Sequence, residues 1–208
     1  MPNINVQSGL APVRYLTGSP WNGAINYYCV LAANTNQLWV GDPVTTIGVP
    51  GGDVLGYPTV TLASAGSPVR GVIVAIGTTA GGSGPYVNPN NLNIMYRPAG
   101  AQPMNYYIGV CDDPDVLYEI QEAGVGVPLT VAAVSRNVNF STGIRPITAP
   151  IPVYSPTFLD NNTVAGTAAL NLKIHQAINR ADNTVGTQFQ KWLVKINNHE
   201  FSAGTASS

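Results

Sequence analysis

Charge is what this sequence lacks most. Only 9% of its 208 residues are Asp, Glu, Lys or Arg, against about 25% in an average globular domain. The formal net charge is -1, and only three of the nine basic residues are lysines. A sequence-independent grip on nucleic acid needs several clustered Lys or Arg to displace counterions, so no nucleic-acid partner is expected. Histidine is equally scarce. His175 and His199 are the only two, and neither stands in a nucleophile motif, so hydrolysis and acyl transfer lack a base beside a nucleophile. Both histidines read as solvent-facing or hydrogen-bonded structural residues, and the chain does not read as an enzyme. No run approaches the ~18 apolar residues of a membrane span, and no charged segment leads into an apolar signal core. The expectation is no membrane partner and synthesis in a cytoplasm.

Cysteine is limited to Cys29 and Cys111, each inside an apolar stretch. Two buried free thiols are favoured over a disulfide, and the pair alone cannot build a metal site. The Gly81-Gly-Ser-Gly84 loop has no following Lys and opens no helix, so it fails as a phosphate cradle and reads as a flexible loop. No cofactor is expected.

What the chain has is turns. With 22 Gly and 17 Pro it is punctuated everywhere and poor in strong helix formers, which is an all-β composition. At this length one sandwich or barrel suffices and buries about 70% of the unfolded surface. Residues 1–23 hold three prolines, one charged side chain (Arg14) and no sustained alternation. They read as an extended N-terminal arm, expected to lie on the sheet edge of a neighbouring subunit or on another partner. Its candidate contacts are Leu10, Val13, Arg14, Tyr15 and Leu16. Residues 24–201 form a single β domain, and 202–208 a flexible tail.

Short alternating runs between turn signals place the strands. Ile25 to Leu31, Leu38 to Val40, Leu92 to Tyr96, Tyr106 to Val110, Val138/Phe140 and Trp192 to Ile196 all read this way, and Leu129 to Val134 is assigned with them. Val69 to Ile76 is almost continuously apolar, which predicts a central strand covered on both faces. Leu92 to Tyr96 and Tyr106 to Val110 are expected to be antiparallel neighbours. The stretch 168–180 satisfies both periods, and strand is preferred because Asn171 and Asn179 weaken a helix. Residues 144–156, with four prolines, read as an irregular crossover or an edge. In the pairs Tyr27-Tyr28 and Tyr106-Tyr107 one ring must face in and one out; Tyr28 and Tyr107 are taken as the outward, contact-making members.

Cys111 to Glu122, CDDPDVLYEIQE, joins an acidic turn to an alternating strand. Pro114 keeps Asp113 out of helical space, and carboxylates around a proline favour a turn in which side chains accept backbone N–H bonds. Asp112, Asp113 and Asp115 are oxygen donors of the kind Ca²⁺ prefers, but their spacing is not that of an EF-hand loop. A structural turn of Asp112, Asp113, Pro114 and Asp115 is the favoured reading, with no metal.

The same segment resembles one found in head decoration, or cement, proteins of tailed bacteriophages. LWVGDPV (Leu38 to Val44), GVIVAIG (Gly71 to Gly77), MYRPAG (Met95 to Gly100), RADNTVG (Arg180 to Gly186) and WLVKINNH (Trp192 to His199) extend the likeness. The resemblance implies a jelly-roll-like β-sandwich or barrel on the outer surface of a virion capsid. It implies a homodimer or homotrimer that stabilises the shell by binding the major capsid protein and bridging capsomers, after synthesis in the host bacterial cytoplasm. The competing reading is a carbohydrate- or receptor-binding β module of a tail fibre or adhesin. A long proline-marked arm favours decoration, whereas an aromatic cluster in one groove favours sugar binding.

Overall fold

The structure is a computed structural model that describes residues 3–48, 52–78, 94–146, 154–202 and 204. Its strands are β1 (Ala11–Tyr15), β2 (Asn26–Val30), β3 (Leu38–Trp39), β4 (Pro43–Thr46), β5 (Val60–Leu62), β6 (Gly71–Thr78) and β7 (Tyr96–Arg97). After them come β8 (Tyr106–Cys111), β9 (Val116–Gln121), β10 (Asn137–Ser141), β11 (Phe158–Ala165), β12 (Leu172–Ala177) and β13 (Lys191–Ile196). The all-β composition is realised: a single 3-10 turn, Val131–Ala133, is the one helical element among the described residues.

The first half of the chain builds a five-stranded sheet in the order β2-β8-β6-β4-β5. Its two ends meet, because Cys29 N–H donates to Pro58 O at 2.9 Å and Cys29 bridges Thr59 in parallel fashion. Tyr28, Val30, Val44, Val60, Ile73, Ile76, Ile108 and Val110 cluster on one face beneath Leu38. β6 is the middle strand, and its Val72 packs on the opposite face in the other core. The expectation of a central strand covered on both sides holds. Gly71 lets β6 lie close against the end of β8: a Cβ there would lie 2.4 Å from Cys111 O.

The second half builds a six-stranded sheet, β1-β9-β13-β12-β10-β11. This sheet also curls back, through a parallel Glu122–Leu159 bridge and a 2.9 Å bond from Ala123 N–H to Leu159 O. Register and alternation agree, since Trp192 opposes Ile120, Val194 opposes Tyr118 and Leu172 opposes Ile196. All six side chains are buried in one cluster that also takes Val72 and Cys111 from the first sheet and Val69 from the segment before β6. At about 1.5–3 kcal/mol for each large apolar side chain, this shared core holds the two sheets together.

The antiparallel sheets are compatible with a β-sandwich, and each of the two larger ones is drawn almost whole from one half of the chain. Several expectations are corrected. The expected N-terminal arm is not a free extension over the described residues 3–23, which run along their own chain. β1 pairs with β9 of its own sheet, Leu10 N–H bonds Gly41 O, Val6 N–H bonds the Gln121 side chain and Asn3 bonds Thr184, Thr187 and Gln188. The open edge of β9 is filled from within, which satisfies backbone groups that would otherwise face water or another chain. Gly9 and Gly41 cross back to back, both at positive φ, and a Cβ on Gly9 would come within 2.3 Å of Gly41 O.

Residues 129–134 are not a strand. Side chains take their backbone groups: Glu122 accepts from Leu129 N–H, Gln190 donates to Leu129 O and the Thr130 hydroxyl accepts from Ala132 N–H. β8 lies between β2 and β6, and Tyr96 belongs to a separate two-stranded ribbon, β3-β7. The choice of strand for 168–180 is met by β12. The glycine-rich loop at 79–89, like residues 147–153 of the proline-rich crossover, lies outside the described residues.

A candidate ligand groove beside the acidic turn

β2 begins at the mouth of a groove of about 700 Å³, bounded by Tyr27, Tyr57, Pro58, Phe201 and the 112–114 turn. Its floor is a hydrogen-bonded chain. The Tyr28 hydroxyl donates to Asp112 Oδ2 at 2.5 Å and accepts from Arg70 Nε at 2.7 Å, while Asn26 Nδ2 reaches Asp112 Oδ1 at 2.9 Å. Arg70 also lies 3.6 Å from Glu200, which in turn bonds Thr45 and Thr46. The Arg70 guanidinium sits over the Phe201 ring, 3.6 Å from its centroid.

Burial, with Asp112 next to it, pushes the Tyr28 hydroxyl up to about 12. It therefore stays protonated and keeps its donor aimed at the carboxylate. Beneath Phe201, His199 is 3% exposed and accepts from Phe201 N–H through Nδ1. Burial, followed by the Arg70 charge, lowers its pKa, so the ring is neutral at pH 7.

The acidic turn is an Asx turn: Asp113 Oδ1 accepts from Asp115 N–H at 2.8 Å, and Asp115 Oδ1 takes Lys195 Nζ at 2.9 Å. The three carboxylates have separate partners, and among the described residues no group of three His, Cys, Asp or Glu converges as a metal site would require. The turn reading fits this geometry, with Asp112 given the further task of flooring the groove.

The other candidate contacts divide. Leu10, Tyr28 and Tyr107 are buried, at 1%, 2% and 4% exposure, and are corrected as interface residues. Tyr28 turns inward because its hydroxyl has partners there, and Tyr107 because its hydroxyl donates to Asp53. Tyr27 is the exposed ring of its pair. Val13 and Leu16 are exposed, while Arg14 and Tyr15 are half-buried and bond Gln176 and Asn22. Cys29 and Cys111 are free and buried, as expected. His175 is exposed on the polar side of β12.

Sequence reading missed Arg70, Tyr57 and Phe201. They are far apart in the chain, and only the folding of β2, the 57–58 segment and the C-terminal turn around one edge brings them together. No family model, no curated protein and no solved structure matches the chain.

Proposed function

We propose that the protein is a structural virion component that decorates a phage capsid by binding the outer face of the major capsid protein shell. The observation that carries this reading is where the resembling segments fall. LWVGDPV contains Asp42, MYRPAG contains Arg97, the acidic segment contains Asp112, RADNTVG contains Asn183, and WLVKINNH contains Asn197 and His199; every one of these polar residues is at most 8% exposed. GVIVAIG is the central strand β6. Buried polar groups must find specific partners, so at these positions the likeness is one of framework. The proposal takes partner and location from that likeness, by analogy.

The body suits the task. Its surface charges are few, so covering it desolvates few ions. The loop carrying Val125, Val127 and Val131, 66%, 82% and 69% exposed, offers an apolar surface whose backbone is held by Asn161 at Val125 and Val127. Many copies on one shell add modest contacts into firm attachment.

Mixing the purified protein with capsids that lack it, followed by cryo-electron microscopy, tests the reading. Ordered density on the outer shell at symmetry-related positions is expected. Density only on the tail, or no binding to expanded shells, overturns it. Two observations favour the carbohydrate-binding alternative: the aromatic groove, and the pairing of residues 11–15 with β9 where a free arm would have favoured decoration.

A further inference from the structure

We propose that the groove beside the acidic turn is a binding site for a neutral saccharide. The inference is independent of capsid attachment and rests on the groove's chemistry. Its polar groups alternate in kind: Asn26 Nδ2 and the Arg70 guanidinium donate, whereas the Asp112 and Asp113 carboxylates accept. A hydroxyl both donates and accepts, so vicinal hydroxyls match such a floor, while a bare cation uses only the acceptors and a bare anion only the donors.

The charges point the same way. Asp112, Asp113 and Glu200 outnumber Arg70, so uronate and sialate sugars meet net repulsion. The walls supply the other half of a sugar's needs. Tyr27 is 37% exposed and Tyr57 is held edge-on to Tyr107 at 5.5 Å between centroids. Aromatic rings with a polar rim are the side chains that meet a surface apolar on one side and wet on the other, which describes the C–H face of a pyranose.

The floor is also set before any ligand arrives. Tyr28, 2% exposed, is held between Asp112 and Arg70, and Arg70 is itself stacked on Phe201. Little ordering remains to oppose binding. The groove's size matches the ≈ 300–1,000 Å³ of small-molecule sites.

Saturation-transfer difference NMR on the full chain tests the site, with maltohexaose, cellohexaose, chitohexaose and mannohexaose as neutral probes. Tetragalacturonate serves as the anionic probe and a decaproline peptide as the competing ligand for an aromatic groove. At least one neutral probe should bind saturably, and at least about tenfold more tightly than tetragalacturonate, a difference of one decade in Kd. Tyr27→Ala should weaken that binding at least about tenfold and Tyr27→Phe should preserve it. Tyr27 is exposed, and unchanged thermal unfolding of both variants will show that the fold is intact. Asn26→Ala provides a second reading on the polar side and should weaken binding without altering the response to decaproline.

Saturable binding of decaproline alone, preference for the anionic probe, no saturable binding of any neutral probe, or equal binding by wild type and Tyr27→Ala overturns the proposal. Each of these results leaves capsid decoration untouched, because capsid binding is read on particles and needs no sugar.

Discussion

Replacing Asp42 tests how the two halves of the chain are locked together. Its carboxylate is fully buried and takes five hydrogen bonds: Trp39 N–H at 2.8 Å, Arg145 at 2.7 and 2.9 Å, Ser155 Oγ at 2.6 Å and Thr157 Oγ1 at 2.9 Å. One side chain in the β3-β4 turn thereby fixes both flanks of the 144–157 crossover. Asp42→Ala leaves the Arg145 guanidinium in place without its carboxylate, a change that costs about 3–5 kcal/mol. For a chain of this size each kcal/mol moves Tm by about 2–4 °C, giving a fall of about 6–20 °C. Asp115→Asn breaks a pair whose carboxylate is 63% exposed. That should cost about 0–1 kcal/mol and move Tm by less than about 4 °C. A double-mutant cycle with Arg145→Met isolates the pair, and the double variant should lose less than the sum of the single losses because no charge is left orphaned. Calorimetric unfolding of the four proteins is the assay. A loss below about 1 kcal/mol for Asp42→Ala, or strict additivity, refutes the reasoning.

Deleting residues 1–19 should not yield a stable trimmed domain. It uncovers the edge of β9 and removes buried Leu10, so the truncated protein should unfold at a markedly lower temperature or aggregate; Leu10→Ala alone should cost about 2–5 kcal/mol by denaturant titration. Burial holds the Glu122 carboxyl above its ordinary value, against the bonds from Trp192, Gln190 and Leu129 that favour its charge. Folding thus favours its proton, and its stabilising contribution is full below the unfolded value of about 4.3 and lost as pH rises through the folded value. Stability measured against pH should fall less steeply above about 4.3 in Glu122→Gln than in wild type. Burial pushes the Cys29 thiol up to about 12, with Asp53 adding to the shift. Neither cysteine should react with Ellman's reagent until denaturant unfolds the chain, and early modification of Cys29 in the native protein counts against its burial.

The legible parts of this fold were those written in period two. β2, β6, β9 and β13 were found because their buried faces alternate or run continuously apolar, whereas β12 satisfied both periods and was chosen as strand because Asn171 and Asn179 weaken a helix. β11 was not found, since FLDNNTVA carries Asp160, Asn161 and Asn162 at its centre. There the pattern fails because side chains serve neighbouring loops: Asn161 Nδ2 bonds Val125 O and Val127 O. Residues 129–134 failed for the mirror-image reason, an apolar run that starts with the Leu129 backbone taken by the side chains of Glu122 and Gln190 and then closes as a 3-10 turn. In both places a long-range side-chain bond overrides local preference, and nothing within the segment records it.

The orientation of the paired tyrosines follows the same logic. Alternation fixes that Tyr27 and Tyr28 face opposite ways but not which faces in, and the choice is made by Asp112, 84 residues along the chain. Because Asp112 floors the groove as well as ending β8, the residue that turns Tyr28 inward also leaves Tyr27 outward on the rim. Acidic turn and aromatic wall are therefore one feature. Asp112→Ala should remove the partner that holds the Tyr28 hydroxyl and uncouple Arg70 from the floor, degrading the groove even though Tyr27 is untouched. The arm behaves in the opposite way. Its prolines and lack of alternation suggested a segment seeking another chain, yet the free edge of β9 lies within the same molecule. Pairing there incurs no loss of translational freedom, whereas pairing with a neighbour does. The intramolecular edge wins, and any contact with a capsid must be made by the finished body.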